Sequence, residues 1–259
     1  MAQKLVYGHR GAPREAPENT LASFRLAVDL GVDAIETDAH LTRDGHVVLA
    51  HDETGERTAG IAVPIARVTL AEVRGWDAGA TFKDPQTAGG AANQAGPSHR
   101  IPTLEEALLT FPDTFFNVDI KPRSARAVSA LVALVRKLRA PGRVRIASFH
   151  SSNLRFARSL GYEGETGLGA SEITWIRMAP EALLRRLETG GKAAQIPVNF
   201  GRLRLDSASF IARCHRLGLR VDYWTIDSPE EAARLFALGA DGVVTNDPRV
   251  IVPIARHYP

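Results

Sequence analysis

Eight short apolar runs recur along the chain: KLVYG, VDAIETDA, FFNVDI, RVRIAS, GETGLGA, AAQIPVNF, RVDYWTI and DGVVTN. Most are separated by segments of helical period, and strands that alternate with helices form a parallel sheet covered by those helices. Eight strands of this kind close a TIM (β/α)8 barrel. GETGLGA, with three glycines, is the poorest strand former among them. The expected helices are TLASFRLAVDLG after Asn19, ARAVSALVALVRKLR, SNLRFARSLG, PEALLRRLETG, SASFIARCHRLG and SPEEAARLFALG. Gly31, Gly161, Gly218 and Gly239 stand where a helix ends in a left-handed residue. A chain of 259 residues, 44% of them hydrophobic, suits one α/β barrel domain over 1–259.

The run VVLAHD does not count as a barrel strand. Only Arg43, Asp44 and Gly45 separate LT from HVVLAH, whereas parallel neighbours need a crossover of a dozen or more residues. The two segments must form an antiparallel hairpin. Pairing Thr42 with His46 sets Val48 across from His40 and His51 across from Thr37, between Glu36 and Asp38.

Side chains two apart on a strand share a face, so Glu36 and Asp38 point the same way, as do Asn117, Asp119 and Lys121. All lie at C-terminal strand ends, where TIM-barrel active sites are assembled. The first strand adds His9 and Arg10. The expected mouth therefore holds three carboxylates, two histidines, an arginine and a lysine. Clustered carboxylates repel unless a cation joins them, and oxygen ligands suit Mg²⁺, Ca²⁺ or Mn²⁺ rather than zinc. Two histidines on different strands supply an acid and a base near neutral pH. Arg10 and Lys121 offer fixed positive charge to a phosphate. These parts read as phosphodiester cleavage. His40, His46, His99, His150, His215 and His257 are read as hydrogen-bonded loop residues, His150 being the one that follows a strand.

The same residues resemble the glycerophosphodiester phosphodiesterases, a family of phospholipase-C-like TIM barrels. The likeness runs through GHRGAPREAPENT, ETDAHLTRDGHVVLAHD, RIPTLEEALLTFPD, FNVDIK, Ser148–Phe149, YWTID and LGADGVVTNDP, so it covers most of the chain. It implies His9 and His51 as the acid/base pair and Glu36, Asp38 and Asp119 as ligands of a divalent ion, Mg²⁺ or Ca²⁺. It further implies Arg10 and Lys121 as phosphate contacts, and Trp224 in the substrate pocket. In PENT, Asn19 or Thr20 is expected to cap the first helix and Glu18 to brace the loop. Three positions depart from the family pattern. Asp119 stands where glutamate is usual, Asn246 where aspartate is common and Ala39 where valine is common. The first shortens a ligand by a methylene, and the other two read as packing or loop adjustments.

Between the hairpin and the third strand lies an insertion from about Glu53 to Arg100. Its first part reads as a short helix on a small apolar base, its second, DPQTAGGAANQAGPSHR, as a mobile stretch over the mouth or a surface loop. Three activities follow as expectations. The first is hydrolysis of glycerophosphodiesters to glycerol 3-phosphate and an alcohol, through attack by a glycerol hydroxyl and a cyclic phosphate. The second is the same chemistry on lysophospholipids, which needs an apolar entry surface; Ile61 to Val68 with Trp76 is the one the sequence offers. The third is a non-catalytic phosphodiester binder, against which the histidine pair argues.

Charge and cysteine usage restrict the partners. Lys and Arg exceed Asp and Glu by 32 to 29 with no basic stripe, which speaks against nucleic acid and fits a small anionic substrate. The single cysteine, Cys214, permits no internal disulfide. No apolar run approaches a membrane span or a signal peptide, so the expected location is the cytoplasm.

Overall fold

In the computed structural model, residues 3–83, 99–180, 183, 189–201 and 203–258 are described. The barrel strands are β1 Leu5–His9, β2 Ala34–Leu41, β3 Phe115–Ile120, β4 Val144–Ala147, β5 Glu165–Thr166, β6 Ala193–Pro197, β7 Arg220–Trp224 and β8 Gly242–Thr245. They pair in parallel in the order β5-β4-β3-β2-β1-β8-β7-β6. A parallel bridge from Gly167 to Ala193 joins the two ends of that order and closes the barrel. GETGLGA is thus a strand, and at two residues the shortest of the eight.

Around the barrel run α1 Leu21–Asp29, α2 Leu104–Thr110, α3 Ala125–Lys137, α4 Ser151–Ser159, α5 Ala170–Met178, α6 Ala208–Arg216, α7 Pro229–Ala237 and α8 Pro248–Arg256. Thr20 caps α1, its hydroxyl accepting from the Ser23 N–H at 3.2 Å. Gly31, Gly161, Gly218 and Gly239 all have the expected positive φ. Residues of α2, α5 and α8 were not expected as helix, each for a local reason. α2 is barely two turns long and rests on the Thr103–Glu106 capping box. α5 buries only Ile176 fully, so no apolar stripe announces it. α8 carries Pro253 inside and a β-branched run, yet it buries Ile251, Val252 and Ala255 against the barrel. The segment PEALLRRLETG lies mostly outside the described residues.

The hairpin forms with His40 opposite Val48, as the turn length required. Its ladder ends at Leu49, and the N–H of Ala50 donates to the carbonyl of Asp38 at 3.0 Å. His51 lies past the last pair rather than across from Thr37, because the chain there turns away into the insertion.

The insertion builds a small unit of its own. Thr54–Gly55 pairs with Ile61–Pro64 around a one-turn helix, Glu56–Ala59, a second short helix follows at Leu70–Val73, and Val48, Ile65, Val73, Trp76, Ala78 and Ile101 bury one another. Ile65 is fully buried and Trp76 only 6% exposed, so this stretch does not offer the apolar entry surface that a lipid substrate would need. Its largest apolar side chains are consumed by the insertion's own core, and Val63, 39% exposed, is a single apolar side chain left at the surface. Of DPQTAGGAANQAGPSHR, all but His99 and Arg100 lies outside the described residues.

Candidate active site

β1 ends in a turn that glycine makes possible. Gly11 has φ of +93°, and a Cβ there would meet Ser23 Oγ at 2.3 Å. Arg10 also adopts a left-handed conformation, φ +57°, which is uncommon outside glycine and here swings its side chain back over the barrel end. Its Nη1 donates to Glu18 Oε1 at 3.1 Å, and its Nε lies 3.1 Å from Asp38 Oδ2.

The parallel register then places the other groups side by side. His9 is level with Glu36, Glu36 with Asn117, and Asp38 with Asp119. Parity turns all of them into the barrel. His9 Nε2 lies 3.8 Å from Glu36 Oε2. Lys121 Nζ sits between two carboxylates, 2.8 Å from Asp38 Oδ1 and 2.8 Å from Asp119 Oδ2. Asn19 Nδ2 donates to Asp38 Oδ2 at 3.0 Å and Asn19 Oδ1 accepts from Thr37 Oγ1 at 2.6 Å. Asn19 is therefore a brace of Asp38, while its neighbour Thr20 does the capping.

These contacts leave the carboxylates unequal. Burial pushes Asp38 up, but Lys121 and Arg10 outweigh it and hold Asp38 below the usual carboxylate range. Glu36 is pushed well above that range by burial first and then by Asp38 and Asp119. Burial also raises Asp119, against the pull of Lys121. Among the described residues no three His, Cys, Asp or Glu side chains stand ready as a ligand set, since Lys121 already spans Asp38 and Asp119. Yet Glu36 Oε2, Asn117 Oδ1 and Asp119 Oδ1 are buried oxygens without a hydrogen-bond partner. Three such acceptors in adjacent strands are the donor chemistry that a hard divalent cation takes. Asn117 belongs to this group, and its parity with Asp119 was the sequence signal for it.

The two histidines line the same cleft with separate partners. His51 Nδ1 is 2.7 Å from Asp52 Oδ1, and Arg57 Nε donates to Asp52 Oδ2 at 2.6 Å. Arg57 also donates to both oxygens of Glu18, at 2.8 and 2.7 Å, so Glu18 ties the β1 turn to the hairpin loop as a brace. His40 Nε2 lies 3.3 Å from the His51 carbonyl. His9 Nδ1 is 2.6 Å from Asn246 Oδ1, and burial followed by the nearby Arg10 lowers the His9 pKa. Asn246 is thus a neighbour of the candidate chemistry and not a loop adjustment. Asp227 and Arg57 carry no sequence signal, and Asn246 reads there as a loop adjustment, because only tertiary structure brings β8, the β7 loop and the insertion to the histidines; Asp52 adjoins His51 in the chain, and its contact with the ring shows only in the fold. His150 begins α4 and is absent from the cleft wall.

All of His9, Arg10, Glu36, Asp38, His51, Asp119, Lys121 and Trp224 line one cleft of about 390 Å³. Its far wall, over β4 to β7, is apolar: Phe149, Leu168, Ile173, Met178, Phe200 and Leu203. Phe149 and Phe200 are 66% and 67% exposed, far more than a core residue would be. Trp224 packs edge to face on Phe149, ring centres 5.6 Å apart. Gln195 on β6 adds a side-chain amide whose nitrogen and oxygen are buried without partners.

Comparison with known proteins agrees with this geometry. A profile of the Glycerophosphoryl diester phosphodiesterase family matches residues 9–250. The chain is 31% identical to a glycerophosphodiester phosphodiesterase of Caldanaerobacter subterraneus subsp. tengcongensis, over 97% of this chain and 98% of that one. It is 27% identical to a human lysophospholipase D over 93% of this chain and 82% of the relative. A solved phosphodiesterase of Oleispira antarctica, in complex with the product sn-glycerol-3-phosphate, superposes with a TM-score of 0.78 at 28% identity, covering 98% and 97% of the two chains. A barrel whose polar strand ends converge in one cleft, matched by that profile over nearly its whole length, belongs to the glycerophosphoryl diester phosphodiesterase family and is a phosphoric diester hydrolase.

Proposed function

We propose that this enzyme hydrolyses glycerophosphodiesters to glycerol 3-phosphate and an alcohol with the help of a divalent ion, Mg²⁺ or Ca²⁺. The observation that supports this most is the set of three buried, unpartnered oxygens of Glu36, Asn117 and Asp119 beside His9, with His51 on the same cleft. Glu36, Asp38 and Asp119 would hold the ion, with Asn117 beside them. A bound divalent cation lowers the pKa of a coordinated hydroxyl and offsets phosphate charge. Arg10 and Lys121 hold the phosphate, sharing their positive charge between it and the carboxylates they now pair with. One of His9 and His51 takes the proton of the attacking glycerol hydroxyl and the other gives one to the departing alcohol. Water then opens the cyclic phosphate, with the two histidines in exchanged roles. The whole chain acts as a single catalytic domain, and its lone cysteine is consistent with a reducing compartment such as the cytoplasm.

A second reading has its own observation. The apolar wall of Phe149, Met178, Phe200 and Trp224 fits an acyl chain better than a small polar alcohol, so lysophospholipids are the alternative substrate. The entry surface is made by these cleft residues, and none of the described insertion residues line the cleft. No helix among the described residues is long and apolar enough to cross a membrane.

Turnover of glycerophosphocholine and lysophosphatidylcholine, each with and without a chelator, tests both readings. Glycerol 3-phosphate from the first substrate, lost with chelator, is the expected result. Faster release of choline and lysophosphatidate from the second would favour the lipid reading, and chelator-resistant turnover would remove the ion from the proposal.

A further inference from the structure

His9 Nδ1 and Asn246 Oδ1 are 2.6 Å apart, which requires a proton between them. An amide oxygen has none to give, so the imidazole donates. Asn246 could present its NH₂ to His9 only by turning its amide over, and Asp227 opposes that turn. Asp227 Oδ2 accepts from Asn246 Nδ2 at 2.9 Å, while its Oδ1 accepts from the Asn246 N–H at 2.7 Å and from Thr245 Oγ1 at 3.1 Å. A carboxylate offers acceptors alone, so it selects the NH₂ face of the amide and leaves the oxygen for His9. Arg14 Nη2, 3.4 Å from Asp227 Oδ2, adds a cation to the same carboxylate.

We propose that Asn246 and Asp227 are positioning residues, forming a carboxylate–amide–imidazole chain that fixes His9 with its proton on Nδ1 and its Nε2 lone pair turned to the cleft. The nitrogen so freed is the one 3.8 Å from Glu36 Oε2. In a histidine, the hydrogen bond made by one ring nitrogen decides what the other can do. The inference rests on the reading of His9 as a catalytic residue. Asn246 therefore carries out, at one remove from the substrate, a task that neither its residue type nor its place in TNDP reveals.

The tautomer is read directly by NMR of ¹⁵N-histidine-labelled protein at alkaline pH, with the His9 signals assigned by their loss in His9→Gln. The wild-type enzyme should carry the proton on Nδ1. Asp227→Asn frees the amide to turn, so the Nε2–H form should appear and kcat for glycerophosphocholine should fall about 10-fold with KM little changed. Combining Asp227→Asn with Asn246→Asp exchanges donor and acceptor across the contact: the new carboxylate accepts from His9 and from the new amide. That double variant should regain the Nδ1–H form and most of the lost kcat, which a merely structural pair would not do. A wild-type His9 protonated on Nε2 would overturn the proposal without any variant having to fold. A double variant no more active than Asp227→Asn, with the tautomer unmoved, would overturn it too. A tautomer that shifts as expected while kcat stays constant would instead overturn the catalytic reading of His9 and keep the hydrogen-bond chain.

Discussion

One barrel interior holds two buried charged clusters, and they are built to opposite ends. At the mouth, Glu36, Asp38, Asp119, Arg10 and Lys121 leave buried carboxylate oxygens without partners. Tyr7 and Asp222, two residues before His9 and Trp224 on their strands, form with Arg145 a cluster that is nearly dry, and there both oxygens of Asp222 are engaged. Tyr7 Oη donates to Asp222 Oδ2 at 3.2 Å, Arg145 pairs with Glu165 at 2.6 Å and Asp222 at 3.4 Å, and Arg220 reaches Asp222 Oδ1 at 3.1 Å. Satisfied charges lock a core, whereas unsatisfied ones are available for a ligand and cost stability until it binds. The difference separates a plug that maintains the barrel from a site that uses it.

The sharpest test of this contrast is catalytic. His9→Ala and His51→Ala should each lower turnover by ~10² to 10⁴, the usual worth of a general acid or base, with thermal unfolding unchanged. Near-normal rates in either variant would remove that histidine from the chemistry. The reverse pattern is expected one layer down. Arg145→Met takes one of two cations from buried Asp222, leaving its Oδ2 with Tyr7 alone, and should cost ~1 to 3 kcal/mol in denaturant unfolding, with metal affinity of the surviving folded protein intact. If it unfolds no earlier than wild type, the lower cluster is not a structural plug.

Glu36 joins the two halves of the comparison. Its carboxyl has a raised pKa in the folded chain, so its contribution to stability is present below the ordinary value of 4.5 and lost as pH rises through the folded value. At neutral pH the ionised form is thus a cost. Glu36→Gln should raise the melting temperature of the metal-free protein, each ~1 kcal/mol being worth about 2 to 4 °C in a chain of this size, and flatten its fall above pH 4.5. Calorimetry should show weakened binding of the ion in the same variant. A lower melting temperature would mean that Glu36 is better solvated or paired than its burial indicates.

The smallest effect is expected at Asp119, whose Oδ2 is held by Lys121 while its Oδ1 has no partner. Being shorter than the glutamate usual in the family, it should reach an ion held by Glu36 and Asp38 only through water, an arrangement Mg²⁺ tolerates better than Ca²⁺. Asp119→Glu should raise the affinity for Ca²⁺ more than for Mg²⁺. Equal changes would show that the backbone already makes up for the missing methylene.

Much of this molecule was legible in the chain itself, because its fold rests on local periodicities. The eight strands, most of the long helices, their glycine ends and the hairpin register of His40 with Val48 follow from residue spacing. So does the gathering of His9, Glu36, Asp38, Asp119 and Lys121, since strand parity and the C-terminal rule of barrels are properties of one strand at a time. What the tertiary structure alone decided are relations between distant segments. Ile65 and Trp76 are apolar in sequence whether they face a lipid or each other, and only packing turns them inward while Phe149, Met178 and Phe200 stay exposed on the cleft wall. Asn246 and Asp227 look like loop residues until β8 and the β7 loop are set beside β1. Hydrogen-bond direction is fixed by partners far along the chain, and residue type cannot carry it.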